Sequence, residues 1–149
     1  MLRNSSQIAA IGTLFVMAAC DSGRHSSAGF RLPSDGDIQR GKVAFVELEC
    51  AKCHQVAGAD LPKPTIQPPV PVQLGGTVTK EVSDGYLVAS IINPSYKLAN
   101  YPAGMITEHG KSRMPEYADR ITVRQMTDVV AFLQSHYTVR EPSMIRQVY

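Results

Sequence analysis

Three stretches of the chain repeat apolar residues at helical spacing. In the first, Ile38, Gly41, Phe45 and Leu48 share a face, and Ser34-Asp35-Gly36-Asp37 ahead of them fits a capping box with Ser34 at the N-cap. In the second, Thr79 to Ile92, one face carries Val82, Tyr86, Ala89 and Ile92, and Asn93-Pro94 stops the run. In the third, Thr122-Val123-Arg124-Gln125 is another capping box, followed by Val123, Met126, Val129, Val130, Phe132, Leu133 and Tyr137 at helical period. Met126 fits that stripe and is expected in the core. His136 falls near the end of this helix, where positive charge suits the macrodipole.

What separates the three helices is loop. Five of the ten prolines lie between Pro62 and Pro71, which excludes a helix and a central strand there. Residues 95–121 show no period either. The pattern predicts an all-α domain of three main helices with long loops. Loops of that length in a compact domain need something to pack on.

The amino terminus is different again. A short polar start with Arg3 leads into a twelve-residue apolar run, Ile8 to Ala19. That is well short of the ~20 residues of a transmembrane helix and suits the apolar region of a signal peptide. The run ends Val16-Met17-Ala18-Ala19-Cys20, which resembles a bacterial lipobox, with Met17 where Leu is usual. That resemblance implies a lipid on Cys20, with an ordinary soluble secretory signal as the rival. The expected organisation is 1–19 signal peptide, 20–33 flexible lipid-attached tether containing His25, 34–138 domain, and 139–149 an extension with no assigned role.

At 149 residues the chain allows one domain. A formal charge of +2 points neither to nucleic acid nor to an anionic membrane surface. Without Trp, and with aromatics at 7%, the apolar core is thin for this size, so a buried apolar cofactor would supply missing surface.

The candidate chemistry is Cys50-Ala51-Lys52-Cys53-His54. A Cys-x-x-Cys-His string is an attachment site for a c-type haem. Two thiols about one helical turn apart can add to two vinyl groups on one porphyrin edge, and the adjacent imidazole faces the iron. A structural zinc site needs four ligands and would have to recruit His109 or His136 from afar. A redox dithiol would sit near a βαβ pattern, and no strand-rich stretch is present.

Gly41-x-x-x-Phe45 followed by the Cys50–His54 motif resembles the opening helix of class I (mono-haem) cytochromes c. Tyr86 to Ser95 resembles their middle helix, and is also similar to the cytochrome c domain of some cytochrome oxidase second subunits. Asp128 to Leu133 resembles their last helix, with Phe132 where an aromatic is usual. The resemblance covers about residues 35–137 and implies the class I cytochrome c fold around one covalent haem c. It implies that Phe45 packs near the haem. By the Pro-x-x-Leu-x-Gly element at Pro71 to Gly75, it also implies that the Pro71 carbonyl (or that of Pro69) accepts the second ring N–H of His54.

The sixth ligand is expected from Met114, because Met114-Pro115 shortly before a final helix matches the family's ligand signature. Met105 is second, and His109, which would give a low-potential bis-His site, is third. Arg113, then Tyr96, Lys97 and Tyr101, are candidates for pairing with haem propionates. The implied function is one-electron transfer in the bacterial periplasm by a membrane-anchored carrier, not an enzyme. It would have redox proteins as partners, the membrane reached only through lipid, and no nucleic acid or small-molecule substrate. The alternatives are a subunit of a larger oxidase or dehydrogenase, and a gas-binding or catalytic haem protein with an open iron site.

Overall fold

The computed structural model describes residues 30–69, 72–98, 101, 102 and 104–140. In order these form α1 (Ile38–Glu47), a 3-10 turn (Cys50–Lys52), β1 (Gln55–Val56), β2 (Gln73–Leu74), β3 (Gly76–Val78), α2 (Asp84–Ile92), β4 (Thr107–Glu108), β5 (Lys111–Ser112), α3 (Val123–Gln134) and β6 (Tyr137–Val139). The signal and tether residues 1–29, with Cys20 and His25, and residues 141–149 lie outside the described residues, as does Pro71. None of the helices described is long and apolar enough to cross a membrane.

The three helices expected are present, and short strands join them. β1 pairs with β2 and β3 with β6, both in parallel, while β4 and β5 form an antiparallel hairpin. Most of these ladders lie in segments without an apolar period, but β6 begins at Tyr137, which the period assigned to the third helix; α3 ends earlier, at Gln134, because Tyr137–Val139 pairs with β3. The β3–β6 register sets Gly76 against Tyr137 and Val78 against Val139, and the Arg140 N–H donates to the Val78 carbonyl at 2.8 Å. Residues 139 and 140 are therefore tied into the domain rather than to an extension beyond it. Leu32, assigned to the tether, packs against the core.

α1 crosses α3 at a position with no room for a side chain. A Cβ on Gly41 would overlap the Asp128 carbonyl and come within 2.7 Å of Phe132 Cβ. Around that contact Ala44, Phe45, Val129, Val130, Phe132 and Leu133 are buried, and the Phe45 and Phe132 rings meet at 5.7 Å. Met126, placed in the core by its period, is buried there.

Two helix starts differ from the sequence expectation. The N-cap of α1 is Asp37, not Ser34: its carboxylate accepts the Arg40 N–H at 2.8 Å. Asp37 is itself held by a distant partner, its N–H donating to Asp128 Oδ1 at 2.8 Å. The Arg40 guanidinium donates to the same buried carboxylate through Nε at 2.9 Å and Nη2 at 3.1 Å. The Arg40 hydrogen bond, then that of the Asp37 N–H, hold the Asp128 carboxyl below the usual carboxylate range. α2 begins at Asp84, capped by Ser83, and not at Thr79, because Gly76–Val78 is drawn into the ladder with β6.

The buried face of α2 is also different. Leu87 and Val88 are buried and Tyr86 is exposed, contrary to the stripe through Tyr86 and Ile92. Gln134 of α3 sets this orientation by donating to the Val82 carbonyl at 2.7 Å and to Asp84 Oδ1 at 2.9 Å. The capping box at Thr122 forms as expected, with the Gln125 N–H on Thr122 Oγ1 at 3.1 Å and the Thr122 N–H on Gln125 Oε1 at 3.0 Å. At the far end of α3, His136 Nδ1 meets the Phe132 carbonyl at 2.9 Å, so the ring caps a terminal carbonyl by hydrogen bonding.

Candidate functional site

The Cys50–His54 motif begins where α1 is forced to stop. Leu48 closes the helix, and Glu49 takes φ +63°, a left-handed conformation that disfavours most L residues by ~1–2 kcal/mol. This reversal starts a 3-10 turn in which the Cys53 and His54 N–H groups donate to the Cys50 carbonyl, at 3.2 and 3.0 Å. Lys52 spans the turn outside with an ion pair to Glu49 at 2.6 Å. Being exposed to solvent, it contributes little to stability.

Neither motif cysteine is in a disulfide, and both are part-buried. Cys50 faces the core, and burial pushes its thiol up to about 11. A protonated thiol resists oxidation, because the thiolate is the reactive form.

His54 is held from behind. Its Nδ1 lies 3.0 Å from the Val72 carbonyl oxygen, and a carbonyl can only accept, so Nδ1 carries the proton. In a neutral imidazole that leaves the Nε2 lone pair free for a metal, with the ring orientation fixed. The acceptor is Val72, one residue beyond the Pro71 expected for this role.

Further bonds gather the loops round the motif. The Ile66 N–H donates to the Lys52 carbonyl at 2.9 Å, and the Ala57 N–H to Leu74 at 2.8 Å. On the other side, the Arg113 N–H donates to Ile106 at 2.9 Å and the Ser112 N–H to Ser95 Oγ at 3.1 Å. Met114, whose N–H is held by Ser112 Oγ at 3.1 Å, packs half-buried against the same core cluster as Cys50.

Tyr117 joins the two halves. Its hydroxyl donates to the Leu48 carbonyl at 2.9 Å, and its N–H to Ile91 at 3.3 Å. An aromatic three residues after Met114 was visible in the sequence, but nothing local indicates where its hydroxyl goes.

The other expected residues are spread out. Met105 and His109 are exposed, His109 in the β4–β5 turn at φ +49°. Tyr96, Lys97, Tyr101 and Arg113 are exposed as well, and among the described residues Arg113 makes no ion pair. Phe45 is buried against Phe132. Among the described residues, no three or more His, Cys, Asp or Glu side chains are gathered where they could hold a metal ion.

The residues present fit a haem. Two uncrosslinked thiols precede an imidazole with Nδ1 committed and Nε2 free. Ile66, Val72, Ile92 and Met105 stand exposed on segments bonded to, or next to residues bonded to, the motif or the Met114 loop, and a porphyrin face would cover apolar surface of this kind.

Three helices, a Cys-x-x-Cys-His turn and a backed imidazole define a small protein built to hold a covalent porphyrin. The profile of the cytochrome c family matches residues 38–136, more than half of the chain, and the protein belongs to that family. Its members carry covalently attached haem c, typically one in the mono-haem class, and are in general electron carriers. The three helices are compatible with the class I fold. Neither the curated proteins nor the solved structures gave a significant match.

Proposed function

We propose that the protein transfers single electrons through one haem c bonded to Cys50 and Cys53, with His54 and Met114 as axial ligands. The hydrogen bond from His54 Nδ1 to the Val72 carbonyl carries this reading, since it commits one ring nitrogen and frees the other for iron. When bound, haem c supplies an Fe(II)/Fe(III) couple that forms no bond to a substrate. The chain supplies the rest. Cys50 and Cys53 retain the group, Val72 orients His54, and the core that flanks Met114 excludes water from the sulfur's side. Thioether, a soft neutral donor, raises the reduction potential relative to a second imidazole. The packing of Met114 on the core, against the exposure of Met105 and His109, favours Met114 as sixth ligand. The exposure of Arg113 beside Met114 supports it as the first candidate to pair with a propionate.

The apolar run before Cys20 supports export and lipid anchoring on the periplasmic side of a bacterial membrane. Partners are donor and acceptor proteins that dock briefly, as redox encounters do. A second reading, a stable subunit of an oxidase or dehydrogenase, is favoured by an open groove of about 800 Å³ between α1 and α3, lined in part by exposed Val43 and Val46. Co-purification of further chains after mild membrane solubilisation distinguishes it from a free carrier.

Optical spectra of oxidised and reduced protein, with and without carbon monoxide, test the ligand set. Wild type is expected to show the weak red absorption of an iron–thioether bond and to refuse carbon monoxide. Met114→Ala is expected to lose the first and gain the second. A wild type that binds carbon monoxide readily would make the protein a gas-binding or catalytic haem protein instead.

A further inference from the structure

Tyr117 does more than fill the core. It is buried, yet both its donors are bonded, each to the end of a different helix. The hydroxyl caps the Leu48 carbonyl, one of the terminal carbonyls that α1 leaves unpaired, two residues before Cys50. The N–H reaches the Ile91 carbonyl in the last turn of α2. The Tyr117 carbonyl in turn accepts from the Arg120 and Ile121 N–H groups, both at 3.0 Å, which begins the turn into α3. The Arg120 guanidinium lies over the ring, 5.2 Å from its centroid. The ring is thus clamped, and Met114 is only three residues away through the stiff Pro115.

We propose that Tyr117 is a positioning residue for axial ligation: its hydroxyl bond to Leu48 fixes the Met114 loop against the attachment turn, so that the sulfur is held where it competes with outside ligands. This deepens the electron-transfer reading and rests on Met114 being the sixth ligand. Removal of the hydroxyl leaves the Leu48 carbonyl only the long, weak contact from Cys50 Sγ at 3.9 Å, which a thioether could not make, and lets the loop drift. The sulfur must then be held at greater loss of loop freedom, and a small ligand displaces it more readily.

The test is imidazole titration of the oxidised, haem-loaded protein, followed through the red thioether absorption. Tyr117→Phe is expected to keep the covalent haem and the helix content, and to bind imidazole about tenfold more tightly than wild type. If Tyr117 only packs, the variant lowers the urea midpoint and leaves imidazole affinity within twofold of wild type, which overturns the proposal. Met114→Ala serves as the reference. If it retains the red absorption, the ligand assignment is itself wrong and the proposal fails with it, a result distinct from failure of Tyr117→Phe alone.

A measurement on the wild type makes the outcome independent of how well the variant folds. Coupling is reciprocal, so if the Tyr117–Leu48 bond supports the sulfur, displacing the sulfur must weaken that bond. The Tyr117 hydroxyl proton, observed by nuclear magnetic resonance, is expected to exchange several-fold faster with imidazole bound than without. Equal exchange in the two states overturns the proposal.

Discussion

Replacing Gly41 by Ala reverses an ordinary rule. Within a helix the change normally stabilises by ~1 kcal/mol, because Ala loses less backbone freedom than Gly. Here the new Cβ overlaps the Asp128 carbonyl and sits 2.7 Å from Phe132 Cβ, where carbon atoms in contact keep ~3.5–4.0 Å. Both neighbours are fixed by the α3 backbone, so no rotamer change relieves the overlap. The helices must part by roughly 1 Å, and a gap of that size forfeits a quarter to a half of the attraction between the affected pairs. Overpacking at the upper end of its usual range, ~3 kcal/mol, less the ~1 kcal/mol of propensity, leaves a net loss of ~2 kcal/mol. With a urea slope of about 2 kcal/mol/M, the midpoint of the haem-loaded protein should fall by ~1 M. Helicity followed by circular dichroism against urea measures this. A midpoint equal to or above wild type would refute the close crossing of α1 and α3.

Asp128 should make stability depend on acid. Its folded value is held down by Arg40 and the Asp37 N–H, so below pH ~4 the unfolded chain takes up protons that the folded one resists. That contribution is fully present above pH ~4 and disappears as pH falls through the lowered folded value. Asp128→Asn should flatten the urea midpoint against pH below ~4, and an unchanged profile would remove Asp128 as the source. Thr122→Ala deletes the acceptor for the Gln125 N–H and should destabilise by ~1 kcal/mol, read as a lower thermal midpoint. No shift would mean that water replaces the cap.

What the sequence revealed was chiefly local. The Thr122–Gln125 box lies within four residues and so was legible, and the short Cys50–His54 string pointed to the family that the chain belongs to. The start of α1 was not. Asp37 outcompetes Ser34 because its N–H is fixed by Asp128, 91 residues away. α2 begins late because β6 takes up the segment before it, and α3 decides through Gln134 that Leu87 turns inward and Tyr86 outward. Both residues fit a helical period, so periodicity could not choose between them. Val72 and Tyr117 stayed hidden for the same reason: one acts through a backbone carbonyl, the other through a bond to Leu48 across 69 residues.

The union of α1 with α3 also orders events in time. Contacts so far apart in sequence form slowly, since a long loop must close before they form. A chain made from its amino terminus presents Cys50 and Cys53 well before α3 exists. During that interval α1 has nothing to pack on, and the Cys50 thiol that the finished fold half-buries remains fully open to reagents. Under the proposed attachment, both thiols are within reach as soon as Cys53 emerges, before Phe132 docks on Phe45.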